Sequence, residues 1–362
     1  MKAETVQTQT CRAQKLFVGA NLKAGSTFNK VRFTTPHLER WGERSALVNP
    51  PDNPMLTDVK SIDPLVAQLD GAEIRFQVAP DIEIDRHTGA EYRQTAYLVV
   101  EPQASLPFDE FLHRYIKHLQ HFLSLGLGEP LHAREIAAYR DLEDDRTRNI
   151  TVKFQRSNYT PPSESTHQNR INFTRSDTKF EPALQQWFES VGTAETLHDR
   201  YFSTEYTENM AVENQFLSLI IGLETYHRRI NPDLRFMSKK LYKRVLEQTF
   251  IQMPDVAAKP RIRGLLESGI GNEPSIKDRL TDIVSEYDGL LSDLMDVDET
   301  IKKARDIRHD LAHGLGKDFD FEVVSTITYR LKVIVLIHFL SLIGVEEDQI
   351  RKKVRRKYGG RI

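Results

Sequence analysis

From Lys15 to about Arg175, apolar and polar residues alternate in short β-prone runs separated by turn signals, the period of strands with one wet face. The predicted strands are Leu16 to Leu22, Lys30 to Thr34, Ala46 to Val48, Glu73 to Val78, Ile82 to Asp85, Tyr92 to Val100, Glu135 to Tyr139, Asn149 to Gln155 and Arg170 to Phe173. Pro50-Pro51-Asp52-Asn53-Pro54 and His87-Thr88-Gly89 break the series, and the polar run Pro161 to Asn169 reads as an exposed loop or linker. One helical pattern interrupts it. Phe108, Phe111, Leu112, Tyr115, Leu119 and Phe122 form the apolar face of a helix from Pro107 to Leu125, stopped by Gly126-Leu127-Gly128. That face leaves Arg114, Lys117, His118 and His121 on the solvated side.

After about Lys179 the period changes from two to three and four. Helices are predicted over 182–191, 197–206 and 209–229, the last with a stripe of Phe216, Leu217, Ile220, Leu223 and Tyr226. Leu241, Leu246 and Phe250 mark another, closed by Pro254, and 275–295 a further one. Asp298 is the expected cap of a helix running through Ile301 to His313, and 321–342 is apolar almost all round. The pattern predicts an α+β fold: a strand-rich domain over 1–178 followed by an all-α helical bundle over 179–362.

Composition narrows the class. The 362 residues are 39% hydrophobic, enough for two cores, and a net charge of −2 requires any basic patch to be local. Cys11 is the only cysteine, which excludes an intrachain disulfide and an all-cysteine metal site and fits a reducing cytoplasm. Met1 to Ala13 has no apolar signal region, and the run Val333 to Leu342, interrupted by His338, is too short to span a bilayer. A cytoplasmic protein without a membrane partner is expected. No glycines fall into a dinucleotide-binding or phosphate-loop spacing. His113, His118 and His121 share a helix, but no carboxylate or thiol completes a metal-ligand set. Trp41 is either a stacking platform for a base or a core residue.

The chemistry concentrates between Ile301 and Gly316. Ile301, Ala304 and Leu311 recur at helical spacing, and Arg308 falls on the same stripe, where a permanent charge is costly unless a partner or an anion meets it. His313, five residues on and just before Gly314, stands at a helix end, where its protonated form is favoured. Arg308 can bind phosphate and His313 can exchange a proton near neutrality. Glu224, at the edge of its helix's stripe, either orients Arg308 or His313 or forms a surface pair with Arg228. Arg279 is open in the same way, and His309 either tunes His313 or is a plain polar helix residue.

Phe216-Leu217-Ser218-Leu219-Ile220-Ile221-Gly222-Leu223-Glu224, then Ser275-Ile276-Lys277-Asp278-Arg279-Leu280, then Ala304 to Gly314 with its Arg-x4-His element, resemble the HEPN superfamily. In order and wording they are similar to the HEPN domain of ApeA-like anti-phage proteins, over roughly Glu205 to Val345. Thr35-Pro36-His37-Leu38-Glu39-Arg40-Trp41 resembles the β-rich domain preceding it in those proteins. The resemblance implies a metal-independent, cofactor-free endoribonuclease of prokaryotic immunity. It would act as a homodimer in which Arg308 and His313 of both chains face one RNA strand. The position after the arginine is often Asn in that family and is His309 here, which leaves the polar helper open.

That chemistry suits the residues. RNA supplies its own nucleophile, the 2′-hydroxyl, so cleavage needs a base, an acid and positive charge on the phosphorane. Arg351 to Ile362 holds seven Lys or Arg and no acid. Lys352, Lys353, Arg355 and Arg356 are thus candidates for phosphate contacts, with a merely solubilising tail as the alternative. The leading expectation is cleavage of single-stranded RNA, tRNA among the candidates, to abort phage infection, with the strand-rich domain meeting a phage-encoded trigger. The alternatives are a catalytically silent HEPN module that binds RNA, a nucleotide or a protein, and a scaffold in which Arg308 pairs with Glu224 inside the core.

Overall fold

The computed structural model describes residues 15–19, 22–23, 25–48, 58–85, 89–141, 147–154, 171–267, 270–313 and 320–358. The amino-terminal stretch with Cys11, Pro50 to Pro54, the turn residues His87 and Thr88, the run Pro161 to Asn169, and Gly314 lie outside them. The chain divides into two compact units, Met1–Phe188 with Leu342–Lys353, and Glu189–Ser341 with Val354–Ile362.

The first unit is strand-rich. Its strands are β1 (Lys15–Val18), β2 (Thr27–Phe28), β3 (Lys30–Thr34), β4 (Leu47–Val48), β5 (Asp58–Val59), β6 (Leu65–Leu69), β7 (Ala72–Asp85), β8 (Gly89–Pro102), β9 (Leu106–Pro107), β10 (Arg134–Asp141) and β11 (Thr147–Phe154). Seven make one antiparallel sheet in the order β1-β11-β10-β3-β8-β7-β6. Period-two alternation turns Val31, Phe33, Ile74, Phe76, Leu98, Val100 and Ile150 inward, all buried. The two strands predicted at Glu73 and Ile82 are one. They run continuously through Pro80, because beyond Phe76 the recorded ladder of β7 is with β8 alone and the missing N–H breaks no second ladder. From Gln77↔Tyr97 outward, β7 and β8 therefore continue as a two-stranded ribbon past the pairing with β6 and β3.

Helix α1 (Leu38–Gly42) follows β3, and α2 (Phe108–Phe111) passes through a π-helical turn, Leu112–Ile116, into α3 (Lys117–Leu127). That wider turn rotates the following residues off the straight helical period. His118 and His121, expected in solvent, are consequently buried at 8% and 7% exposure; the His118 carbonyl accepts from Trp187 Nε1 at 2.9 Å and its ring lies 6.0 Å from that of Phe188. Trp41 is a core residue, 1% exposed among Phe76, Phe122, Phe173 and Phe180, so stacking on a base is excluded for it. Residues 171–174 are extended but join no sheet. Instead the backbone N–H groups of Asn172 and Phe173 donate to the Gly126 carbonyl at 2.7 and 3.1 Å, which explains their strand-like pattern. Gly126 must lack a side chain, since a Cβ there would stand 2.9 Å from Trp41 Nε1.

From Phe180 on the chain is helical, through the second unit and the segments of the first that flank it. Helix α4 (Phe180–Tyr206) joins the two helices predicted over 182–206 through a kink at Ala194. It is followed by α5 (Val212–Ile230), α6 (Lys239–Gln252), α7 (Lys259–Glu267), α8 (Ile276–Ser285), α9 (Asp288–Leu291), α10 (Val297–His313), α11 (Phe321–Leu342) and α12 (Glu347–Tyr358). The single helix predicted over 275–295 is split at Tyr287, whose hydroxyl is hydrogen-bonded to His338 Nδ1 at 2.8 Å. The face that α5 buries is made by Phe216, Leu219, Ile220, Leu223 and His227, with Leu217 and Tyr226 at its rim. Helix α11 is long and apolar enough to cross a membrane by length and composition, which the ten-residue run within it did not suggest. Two-thirds of its most apolar window is buried inside the protein (67%), with Leu331, Val333, Val335 and Ile337 fully enclosed. The strand-rich first unit and helical second unit make an α+β protein.

A candidate active site on three helices

Three helices of the second unit, α5, α8 and α10, pack on one another and carry the residues of interest. Two of them, α8 and α10, are held at their starts by local chemistry. Ser275 caps α8, accepting from the Asp278 backbone N–H at 3.3 Å while the Asp278 carboxylate accepts back at 2.8 Å. Those hydrogen bonds hold the Asp278 carboxyl below its ordinary pKa. Helix α10 is capped by Asp296, whose carboxylate accepts from the Glu299 N–H at 2.8 Å, and not by Asp298, which lies in its first turn.

From that start, Ile301, Ala304 and Ile307 are the buried apolar positions of α10, beside the buried Thr300. Arg308 lies one position beyond Ile307, at the rim. Its side chain is 42% exposed, so it is not the desolvated core charge that the stripe predicted. Its Nη2 lies 3.6 Å from Glu224 Oε2 on α5, an ion pair longer than a hydrogen bond; Glu224 is more enclosed, at 17%. Thus Arg308 and Glu224 are brought together, but not inside the core, and the reading that needed a buried pair loses its basis. Arg228, the alternative partner of Glu224, instead donates to Glu273 at 2.9 Å. His309 is exposed. His313 is the last residue of α10; helix geometry sets its Cα about 7.5 Å along the axis from that of Arg308 and roughly 140° around it.

Behind Arg308 lies a network with one well-ordered centre. Arg279 on α8 is 2% exposed, and its Nη1 donates to His227 Nδ1 on α5 at 3.1 Å. With Nδ1 accepting, His227 carries its proton on Nε2, which donates to Asp282 Oδ2 at 3.0 Å. Burial, and then the charge of Arg228, lower the Arg279 pKa, while Glu273 and Glu224 raise it. Glu273 also pairs with Arg235 at 3.3 Å and stands 3.8 Å from Arg279. The pattern along the chain marked Arg279 only as ambiguous and passed over His227, Glu273 and Asp282. His227 was findable, since it continues the stripe of Phe216, Ile220 and Leu223 by one turn. Glu273 was not, because it lies between helices, where no period operates.

The basic carboxy-terminal stretch is a helix rather than a tail. Ile350, Val354 and Tyr358 form the buried side of α12, and Tyr358 packs edge-on to Tyr329 at 5.1 Å. Its four candidate cations are not equivalent. Lys353 is largely enclosed and paired with Asp177, and Arg355 lies 3.4 Å from Asp293, whereas Lys352 and Arg356 are exposed. Lys353 is therefore an internal tie and not a free phosphate contact. Among the described residues, no group of three His, Cys, Asp or Glu side chains is placed to hold a metal ion.

No curated protein and no solved structure matches the chain. Family models do. The model for Apea-like HEPN matches residues 217–349, which takes in α5, α8 and α10 with Glu224, Arg279, Arg308 and His313. A second, ApeA N-terminal domain 1, matches residues 2–187, more than half of the 362 and the whole of the seven-stranded sheet. Sheet and helical unit are thus each accounted for, in the same order, and the chain belongs to the ApeA-like HEPN proteins.

Proposed function

We propose that this protein is a metal-independent endoribonuclease that cuts single-stranded RNA in defence against phage, with Arg308 and His313 as its catalytic residues and a homodimer as its working form. Family membership supports an anti-phage role for the HEPN domain and nuclease activity in general. The observation that carries the finer reading is Arg308. It stands at the rim of its helix with a solvent-facing guanidinium, biased but not buried by Glu224, on the helix that ends at His313.

The chemistry follows from those groups. An imidazole takes the proton of the 2′-hydroxyl, the 2′-oxygen attacks the adjacent phosphorus, and a second imidazole gives a proton to the departing 5′-oxygen. A guanidinium neutralises the charge that builds on the phosphorane oxygens. The products are a 2′,3′-cyclic phosphate and a free 5′-hydroxyl. One helix supplies a single imidazole, and its period sets the Cα atoms of Arg308 and His313 on different sides of its axis. A second copy provides the other acid–base group and lets the arginine of one chain meet the histidine of its partner. Glu224 keeps Arg308 from swinging freely, and the strand-rich unit is the part assigned to the phage-encoded trigger.

The test is incubation of the purified protein with total tRNA and with a labelled single-stranded RNA in EDTA, with and without lysate of infected cells, beside His313→Ala. Cleavage in chelator that leaves 2′,3′-cyclic phosphate ends and disappears in the variant is expected. Absence of cleavage in every arm would leave a binding module.

A further inference from the structure

The charge of this chain is far from evenly spread. Between Arg235 and Glu267 there are eight Lys or Arg against three acids, in a protein whose net charge is −2. The segment folds as the pair α6 and α7, with Ser238 capping α6 and Tyr242 Oη donating to the Leu266 carbonyl at 2.9 Å to tie the two helices. Between them is an open cleft of about 480 Å³. Four cations line it, Arg235, Lys239, Lys243 and Arg263, together with three carboxylates, Glu247, Glu267 and Glu273. Two of the cations are neutralised: Arg235 by Glu273 at 3.3 Å and Arg263 by Glu267 at 2.8 Å. Lys239 and Lys243 have no ion pair among the described residues, and neither have Lys240, Arg244 and Arg261 on the surrounding surface.

Structural stability does not require such an arrangement, since unpaired like charges on one short helix repel. Lys239 and Lys243 are one helical turn apart, about 6 Å along the axis, the order of the separation of successive phosphates on an extended strand. Phe236 follows the cleft residue Arg235 in the chain and lines the adjoining hollow with Leu234, Pro274 and Lys277; it is 61% exposed, a large aromatic face presented to water. Phosphate-spaced ammonium groups beside an open aromatic ring are what a single nucleotide strand needs: counterion release for its backbone and a stacking surface for a base. An acidic peptide would use the charges but leave the ring without a role.

We propose that the α6–α7 cleft is a second RNA-binding site, which holds single-stranded RNA by its backbone at Lys239 and Lys243 and stacks a base on Phe236. The proposal rests on the reading of RNA as substrate but not on the cleavage step. It shifts the main phosphate contacts away from α12, where the sequence alone had placed them.

The experiment uses the full-length protein carrying His313→Ala, so that bound RNA stays intact, and a fluorescein-labelled single-stranded RNA followed by anisotropy over a series of KCl concentrations. The cleft variant adds Lys239→Glu and Lys243→Glu. Its control adds the same charge change at exposed, unpaired positions of the other unit, Lys153→Glu and Lys179→Glu. Relative to the control, loss of two phosphate contacts lowers the slope of log affinity against log salt by about 1.4, with an affinity loss of about tenfold or more at physiological salt. Phe236→Ala weakens binding while leaving that slope unchanged, because stacking releases no counterions. All four side chains are surface groups, and unchanged thermal melts verify folding. Cleft and control variants of equal affinity and slope would overturn the proposal. The two readings fail separately: a wild-type protein that never cuts RNA but binds it through Lys239 and Lys243 ends the nuclease reading only.

Discussion

His338 lies near the carboxy end of α11, 3% exposed, with its ring 4.8 Å from that of Tyr226 and its Nδ1 hydrogen-bonded to the Tyr287 hydroxyl. Its Nε2 has no hydrogen-bond partner, so protonation would put an uncompensated charge in the core. Burial lowers its pKa from 6.5 to about 4. The sign follows directly. Above pH 6.5 the imidazole is neutral in both states. As the pH falls below 6.5 the unfolded chain takes up a proton that the folded chain refuses until about 4, so stability is lost across that window and levels off below it. The full loss is about 3 kcal/mol, of which about 2 is gone by pH 5. His338→Gln keeps a hydrogen-bonding partner for Tyr287 and does not titrate. Urea unfolding of both proteins from pH 7.5 to 4.5 isolates the term, since all other titrations are common to the two and cancel in the difference. The wild type should lose about 2 kcal/mol relative to the variant by pH 5, read on the transition that the substitution moves. Parallel pH curves would mean that His338 meets water or a proton acceptor in solution, and would refute the argument from burial.

Other substitutions separate the roles assigned to the second unit and probe the first. Arg308→Ala should abolish RNA cleavage at a stability cost of about 1 kcal/mol or less, because its ion pair with Glu224 is solvent-screened; a loss of several kcal/mol in urea would restore the buried-pair reading. Arg279→Leu removes the donor to His227 Nδ1 and should cost about 1–3 kcal/mol. Amide hydrogen exchange should show that loss as faster exchange in α5 and α8, and unchanged protection there would remove the network's structural role. Gly126→Ala should cost about 1–3 kcal/mol by driving a methyl against Trp41 Nε1 and the Phe173 carbonyl, and an unshifted melting temperature would show that these neighbours yield freely.

How far the pattern of the chain could be trusted depended on what enforced it. Helix α11 was predicted at its observed bounds, since a stretch apolar almost all round, between Asp320 and Gly344, marks its own ends. Strand β3, bounded by turn signals on both sides, was equally legible. The π-helical turn at Leu112–Ile116 was not, because nothing in a 3.6-residue period announces a five-residue loop of backbone, and the solvated face drawn through His118 and His121 followed from missing it. Residues 171–174 alternate like a strand yet bond to a helix end, a tertiary pairing that no local signal carries. In the candidate site, Arg308 and Glu224 were both singled out and are in fact neighbours. The Arg279–His227–Asp282 chain was invisible because it is assembled from two helices, and its members look like ordinary polar residues along either one. The α6–α7 cleft escaped for a different reason: its cations read as a solvated surface until their partners could be located.

The ribbon formed by the outer parts of β7 and β8 bears on solubility. From Gln77 to Asp85 it extends about 30 Å with no further strand recorded along its flanks, although the Ala96 N–H of β8 donates to Glu39 Oε1 at 2.8 Å. A strand flank of that length is the feature through which copies of a protein zip together into insoluble stacks. Here Pro80 interrupts the row of donors, and the exposed Asp81 and Glu83 keep the surface negative, since Arg93 is paired with Glu91 at 2.7 Å. Two ribbons brought flank to flank would set carboxylates against carboxylates. The arm can thus protrude at high cellular concentration without seeding aggregates of its own kind, and neutralising Asp81 and Glu83 together would remove that protection.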